Sequence, residues 1–244
     1  MRTWTPDYQP YLTRMEETPM VVTVDLAAGP HIPLETHPEL LLVRIQLARP
    51  RPDGLRATEE LADLNRAEDK LVQGFEDAGA IYVGRYVAGG YTVHAFYAPQ
   101  GLRPPPPDLA PYVPGLAAKI EADWGFYTQL LYPDRWNLQL IHNRKTVQVL
   151  AAQGDQHDAP RRIDHFGYFR GQEPAVLAAD RLRAAGFDVE VPRADEDGDW
   201  VLPFYSTHAV GEELMAKESA AILQIVEVDG GGDYDGWGCP VVTD

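Results

Sequence analysis

Residues 161–191 read RRIDHFGYFRGQEPAVLAADRLRAAGFDVEV, and the fold turns on this stretch. Its first nine residues alternate and predict a strand. Successive strand side chains point to opposite sides, so Phe166 and Tyr168 share one face, while Asp164 and His165 fall on different faces. The next segment carries Pro174 in its first turn, sets Ala175, Ala178, Leu182 and Ala185 at helical spacing, and meets Gly186 as a stop. "FDVEV" alternates again, giving strand, helix and strand in quick succession.

Moving toward the C-terminus, Asp195, Glu196, Asp197, Gly198 and Asp199 form a turn, and "WVLPFYS" (200–206) is the next strand. Pro203 lacks an N–H and predicts a bulge or a late strand start there. "GEELMAKESAAILQIVEV" (211–228) is a helix with Leu214, Ala221, Ile225 and Val228 inward. Gly230 to Gly232 stop it. "YDGWG" (234–238) then reads as a glycine-thinned strand in which Trp237 packs and Asp235 satisfies nearby backbone donors.

Toward the N-terminus, "MVVTVDLAA" (20–28) and "ELLLVRIQLA" (39–48) are strands. "TEELADLNRAEDKLVQGFEDAG" (58–79) is a helix facing inward through Leu61, Leu64, Leu71, Phe75 and Ala78. "AIYVGRYV" (80–87) and "YTVHAFY" (91–97) form a hairpin around Ala88, Gly89 and Gly90. A short helix through Leu116, Ile120 and Trp124, a strand at 126–132 and a helix at 134–153 ending at Gly154 complete the half. The predicted fold class is α+β: two ferredoxin-like (βαββαβ) α/β sandwich domains with mostly antiparallel sheets, spanning 1–154, with a linking helix at 134–153, and 155–244.

The chain has 244 residues and a formal net charge of −16, a sign that disfavours nucleic acid and anionic membrane surfaces and suits a basic protein partner. Cys239 stands alone, so neither an intrachain disulfide nor a cysteine metal cage can form. The opening residues lack the apolar core of a signal peptide and no apolar run reaches bilayer length, which predicts a cytoplasmic protein.

Catalytic patterns are absent. Asp233, Asp235 and Gly236 match three positions of a calcium loop, but Gly231 and Val242 stand where its first and last carboxylates belong. No HExxH spacing or phosphate-cradling glycine loop occurs, so no cofactor, no metal and no catalytic residues are expected. Two alternatives stay open. An exposed aromatic sheet face with Phe166, Tyr168, Tyr234 and Trp237 nearby could stack on single-stranded RNA, although residues 160–244 hold 7 Lys and Arg against 17 Asp and Glu. An uncharacterised metal-dependent enzyme would draw on Asp164, His165, Asp233 or Asp235.

"IDHFGYF", "LAADRLRAAGFDVEV", the Asp197-Gly198 turn and above all "YDGWG" resemble the family of the regulator of ribonuclease E activity B (RraB) over residues 160–244. "WTPDY", "PDGL", "AEDKL", "YVGRY" and "DWGFYTQLLYP" resemble a domain family of unknown function found fused ahead of it. The resemblance implies a noncatalytic regulator that binds ribonuclease E, or another basic RNA-handling protein, without touching RNA itself. Candidate interaction or motif residues are Asp164, His165, Phe166, Tyr168, Asp195, Glu196, Asp197, Asp233, Tyr234, Asp235, Gly236 and Trp237.

Overall fold

A computed structural model of the chain describes residues 2–105, 107–196 and 198–243; Asp197 of the candidate set lies outside the described residues. The chain forms two compact units, Met1–Asp134 and Arg135–Asp244. Both are α+β with antiparallel sheets.

The first unit contains β1 (Tyr8–Met15), β2 (Thr18–Asp25), β3 (Glu39–Gln46), α1 (Leu61–Asp77), β4 (Ile81–Ala88), β5 (Tyr91–Ala98) and β6 (Pro114–Ile120). The sheet order is β1-β2-β4-β5-β3-β6. Leu64, Leu71 and Phe75 of α1 pack on Leu41, Val43 and Phe96, forming one core. The other face is capped by the segment after β6, where Trp124 stacks on Tyr97 at 3.9 Å and donates its indole N–H to the His37 carbonyl at 3.0 Å.

This unit departs from the predicted βαββαβ pattern. Residues 114–120 form an edge strand, not a helix; Leu116 and Ile120 are exposed there, and the two alanines between them disguise a strand as a helix former. The expected strand at 126–132 is a helical turn, Tyr127–Leu131, because Trp124, Tyr127 and Leu131 bury themselves at helical rather than alternate spacing. β1, with Pro10 inside it, gave no strand signal; as an edge strand it tolerates the missing donor.

A bulge between Tyr82 and Gly84 resets the β4 register, so Tyr82 and Arg85, three apart, both face α1. Gly84 enables it. Its φ is +139°, and a Cβ there would lie 2.3 Å from the Thr23 carbonyl oxygen of β2.

The second unit runs α2 (Arg135–Ala152), β7 (Arg161–Phe169), α3 (Gln172–Ala184), β8 (Asp188–Val189), β9 (Arg193–Ala194), β10 (Trp200–His208), α4 (Glu212–Leu223) and β11 (Asp233–Gly238). Its strands lie in the order β11-β7-β10-β8, all antiparallel, with β9 also paired to β10. Ala175, Ala178 and Leu182 of α3 and Ile222 of α4 cover Phe169, Leu202, Phe204 and Tyr234 on one sheet face. The helix at 135–152 belongs to this unit, not to the first half: Val147 and Leu150 pack with Ile163 and Met215. Its buried side is half polar, with Asn137, Gln139 and Asn143 beside Ile141, which blurs the apolar periodicity that would have assigned it.

Two local expectations change. On α4 and the turn after it, Met215, Ser219, Ile222 and Val226 are buried while Leu214 and Val228 are exposed, a rotation of about one residue. Pro203 causes no register shift in the β10–β7 ladder. Its carbonyl accepts from Glu190 on the β8 side, so its missing N–H points the same way, where the neighbouring strand breaks between β8 and β9. Among the described residues no helix is long and apolar enough to cross a membrane.

The glycines make a matched pair of predictions. Gly84→Ala should cost about 2–4 kcal/mol from strain and the clash with β2. Gly74→Ala, in the interior of α1 with open space around its Cβ position, should gain about 0.5–1 kcal/mol. Urea midpoints of the two variants check both signs.

Candidate interaction face and its buried polar core

Strand β7 sorts the motif residues. Arg161, Ile163, His165, Gly167 and Phe169 are buried toward the helices, whereas Arg162 and Phe166 are exposed and Asp164 and Tyr168 half-buried on the opposite face. The register adds Val201, Tyr205 and Thr207 from β10, Asp188 from β8 and Asp233 and Gly236 from β11 to that outer face. Arg162 lies 3.8 Å over the Tyr205 ring and pairs with Asp164 at 2.5 Å and Glu190 at 3.4 Å. Gly236, at φ +113° beside the bulge, contributes no side chain, so Phe166, its register partner, stays 37% exposed.

The inner face holds a polar chain. His165, fully buried, shares a hydrogen bond with the Tyr234 hydroxyl through Nδ1 at 2.9 Å, and its Nε2 lies 3.7 Å from Glu218 Oε1. Glu218 Oε2 is 3.0 Å from His208 Nε2, whose other nitrogen contacts the Ala209 carbonyl at 2.6 Å. Burial holds the His165 imidazole down to about 4, more than the nearby Glu218 charge can offset. Burial alone would lower His208 too, but the Ala209 carbonyl and the Glu218 carboxylate outweigh it and raise its pKa above the usual histidine value. Burial likewise drives the Tyr234 phenol well above its ordinary range.

Next to this chain sits Asn143. Its Oδ1 accepts from Trp237 Nε1 at 2.8 Å and Gln139 Nε2 at 2.9 Å, and its Nδ2 donates to the Met215 carbonyl at 3.2 Å and Ser219 Oγ at 3.0 Å. Arg135 donates to Glu227 at 2.9 Å and to the Tyr234 carbonyl at 2.8 Å. The structure therefore brings His165, Tyr234 and Trp237 into one buried cluster and leaves Asp164, Phe166, Tyr168, Asp233 and Gly236 on the outer face.

The remaining candidates stand apart. Asp195 shapes the β9–β10 turn by accepting from the Asp199 N–H at 2.9 Å, and Glu196 is exposed beside it. Asp235 is exposed at the bulge and, among the described residues, accepts none of the local backbone hydrogen bonds expected of it. The glycines before it do act as a close approach: a Cβ on Gly232 would meet the Phe169 ring at 2.5 Å. Asn143, Glu218 and His208 were not foreseen. The signals were present: Gln139 and Asn143 lie four apart on a helix, and Glu218-Ser219 interrupts the apolar side of α4. Among the described residues no group of three or more His, Cys, Asp or Glu is placed to hold a metal.

Residues 140–239 match the family model described as regulator of ribonuclease activity B (RraB), and residues 6–104 match a family of unknown function, DUF695. The second half is RraB-like, and the half before it is similar to DUF695. The RraB match begins inside α2 and so takes in Asn143, in keeping with the helix packing in the second unit. No curated protein matches the chain. A crystal structure of an unknown protein from Galdieria sulphuraria aligns at 12% identity, covering 83% of this chain and 98% of that one, with a TM-score of 0.23.

The histidines of the RraB-like unit predict opposite pH effects. His165 has a folded-state pKa near 4 against an ordinary 6.5, so on acidification the unfolded chain takes up a proton that the folded one does not. Stability should fall between about pH 6.5 and 4, by at most about 3 kcal/mol, and His165→Gln should flatten that limb in guanidinium titrations. His208 is raised, so its contribution is complete below pH 6.5 and fades as pH climbs through its folded value. His208→Gln should therefore cost more stability at pH 6 than at pH 8; equal costs would contradict the Glu218 pairing.

Proposed function

We propose that this chain is a noncatalytic regulator that binds a ribonuclease E-type endoribonuclease and restrains its cleavage of RNA. The family match of residues 140–239 carries the reading. The strand order β11-β7-β10-β8, with α3 and α4 as the crossing elements packed on one face, supports a ferredoxin-like topology for this unit. That outer face offers Phe166, Tyr168 and Tyr205 with Asp164, Asp188, Glu190 and Asp233 around them, and Arg162, paired to Asp164 and Glu190, lies over Tyr205. Aromatic anchors with an acidic rim suit a basic protein surface: the rings contribute contact area and the carboxylates steer the encounter.

In this reading the motif has two jobs. His165, Tyr234 and Trp237 hold the sheet to its helices, and Asp164, Phe166, Tyr168 and Asp233 meet the partner. Asp195 and Glu196 extend the acidic surface at one end. The same rings favour a second reading, stacking on single-stranded RNA, which the 17 acidic against 7 basic residues of 160–244 oppose.

Both readings are separable with purified components. Binding to the host ribonuclease E-type enzyme should weaken steeply between low and physiological salt, and the wild-type chain should slow cleavage of a model RNA. Phe166→Ala combined with Tyr168→Ala should lower affinity at least about tenfold, as for interface anchors, with little change in thermal midpoint. Unchanged affinity in that variant would reject the outer face. A gel shift of single-stranded RNA by the wild type, abolished by Tyr168→Ala, would favour the RNA reading instead.

A further inference from the structure

The first unit contains a charge arrangement that neither its core nor the proposed regulatory contact uses. Between α1 and the sheet, Glu68 accepts two hydrogen bonds from Arg85 Nε, at 2.8 and 2.9 Å, and one from the Tyr82 hydroxyl at 2.8 Å. This grips only one side of the guanidinium. Arg85 Nη1 is buried without any hydrogen-bond partner, on a side chain only 9% exposed. Arg85, Glu68, Thr92 and His94 line a small cavity of about 10 Å³, and Arg56 is its fifth polar wall.

Arg56 is half-buried and its guanidinium has no hydrogen bond or ion pair among the described residues. Burial first and the Arg85 charge second depress its pKa, with Glu68 pulling the other way. His94 is held down to about 4 by burial, so it is neutral at pH 7 and adds no charge. Two guanidiniums and one carboxylate, which pairs with only one of them, Arg85, thus line a space that fits one water-sized atom. Water would satisfy the orphan N–H but not the surplus positive charge, whereas an anionic oxygen satisfies both.

We propose that this cavity is an anion site that receives one oxygen of a phosphate or carboxylate group, held between Arg56 and Arg85, with Thr92 and His94, hydrogen-bonded to each other at 3.3 Å, and the apolar Leu64 and Val87 as its neutral walls. The bulge at Tyr82/Gly84 is what turns Arg85 into it. Glu68 then orients the bound guanidinium and sets the net charge of the site at one positive unit.

Calorimetric titration of the full chain at low ionic strength, with inorganic phosphate in one arm and acetate in another, tests the site. Saturable binding is expected in at least one arm, and the stronger arm distinguishes a phosphate from a carboxylate source. Arg56→Gln should weaken it tenfold or more while leaving the fold intact, because that side chain has no structural partner. Glu68→Gln should tighten it by removing the competing carboxylate. Absence of saturable heat in both arms, equal affinity in wild type and Arg56→Gln, or chloride competing as well as either oxyanion would overturn the proposal. These readouts are independent of ribonuclease binding.

Discussion

Asn143 is the side chain on which the second unit depends. It is 1% exposed, and its amide group links α2 to α4 through Met215 and Ser219 and to β11 through Trp237. A buried amide is favourable only when its donors and acceptor are all used, because an orphaned one costs about 1–3 kcal/mol. Its geometry therefore admits one arrangement of the three elements. The closing motif follows from that arrangement: Trp237 needs an acceptor, Tyr234 needs His165, and Gly232 must let the backbone pass within reach of Phe169.

The same constraint sets which surface is left for function. The helices cover the side of the sheet bearing His165, Phe169, Leu202 and Phe204. The alternation of β7 then sends Phe166 and Tyr168 the other way, where Phe166 is exposed and Tyr168 half-buried. A motif that looks like a single string in sequence is thus half core and half surface. Substitutions divide accordingly: His165 and Tyr234 are buried and hydrogen-bonded to each other, whereas Phe166 is exposed and Tyr168 half-buried.

Much of the second unit was legible because β7 and α3 obey simple periods and α3 stops at Gly186, whose φ is +98°. The face of α4 was misjudged because polar Ser219 is buried and apolar Leu214 is not. The first unit resisted for the same physical reason at two places: Leu116 and Ile120 lie exposed on an edge strand, and Tyr127 and Leu131 bury a helical turn that reads as a strand. Burial decides those elements, and burial is a tertiary property. The Glu68–Arg85–His94 and His165–Glu218–His208 groups were hidden likewise, since each joins residues far apart in sequence. In both, a carboxylate lies beside a histidine that burial keeps neutral, and a sheet and a helix supply the partners.

Asn143 ties α2 to α4 and β11, so the RraB-like unit should not close without that helix. Thermal unfolding of two fragments, 135–244 and 155–244, measures this directly. Fragment 135–244 should show a single cooperative transition, and 155–244, which lacks Arg135, Gln139 and Asn143, should lose it or melt at a much lower midpoint. Equal midpoints and equal cooperativity in the two fragments would contradict it.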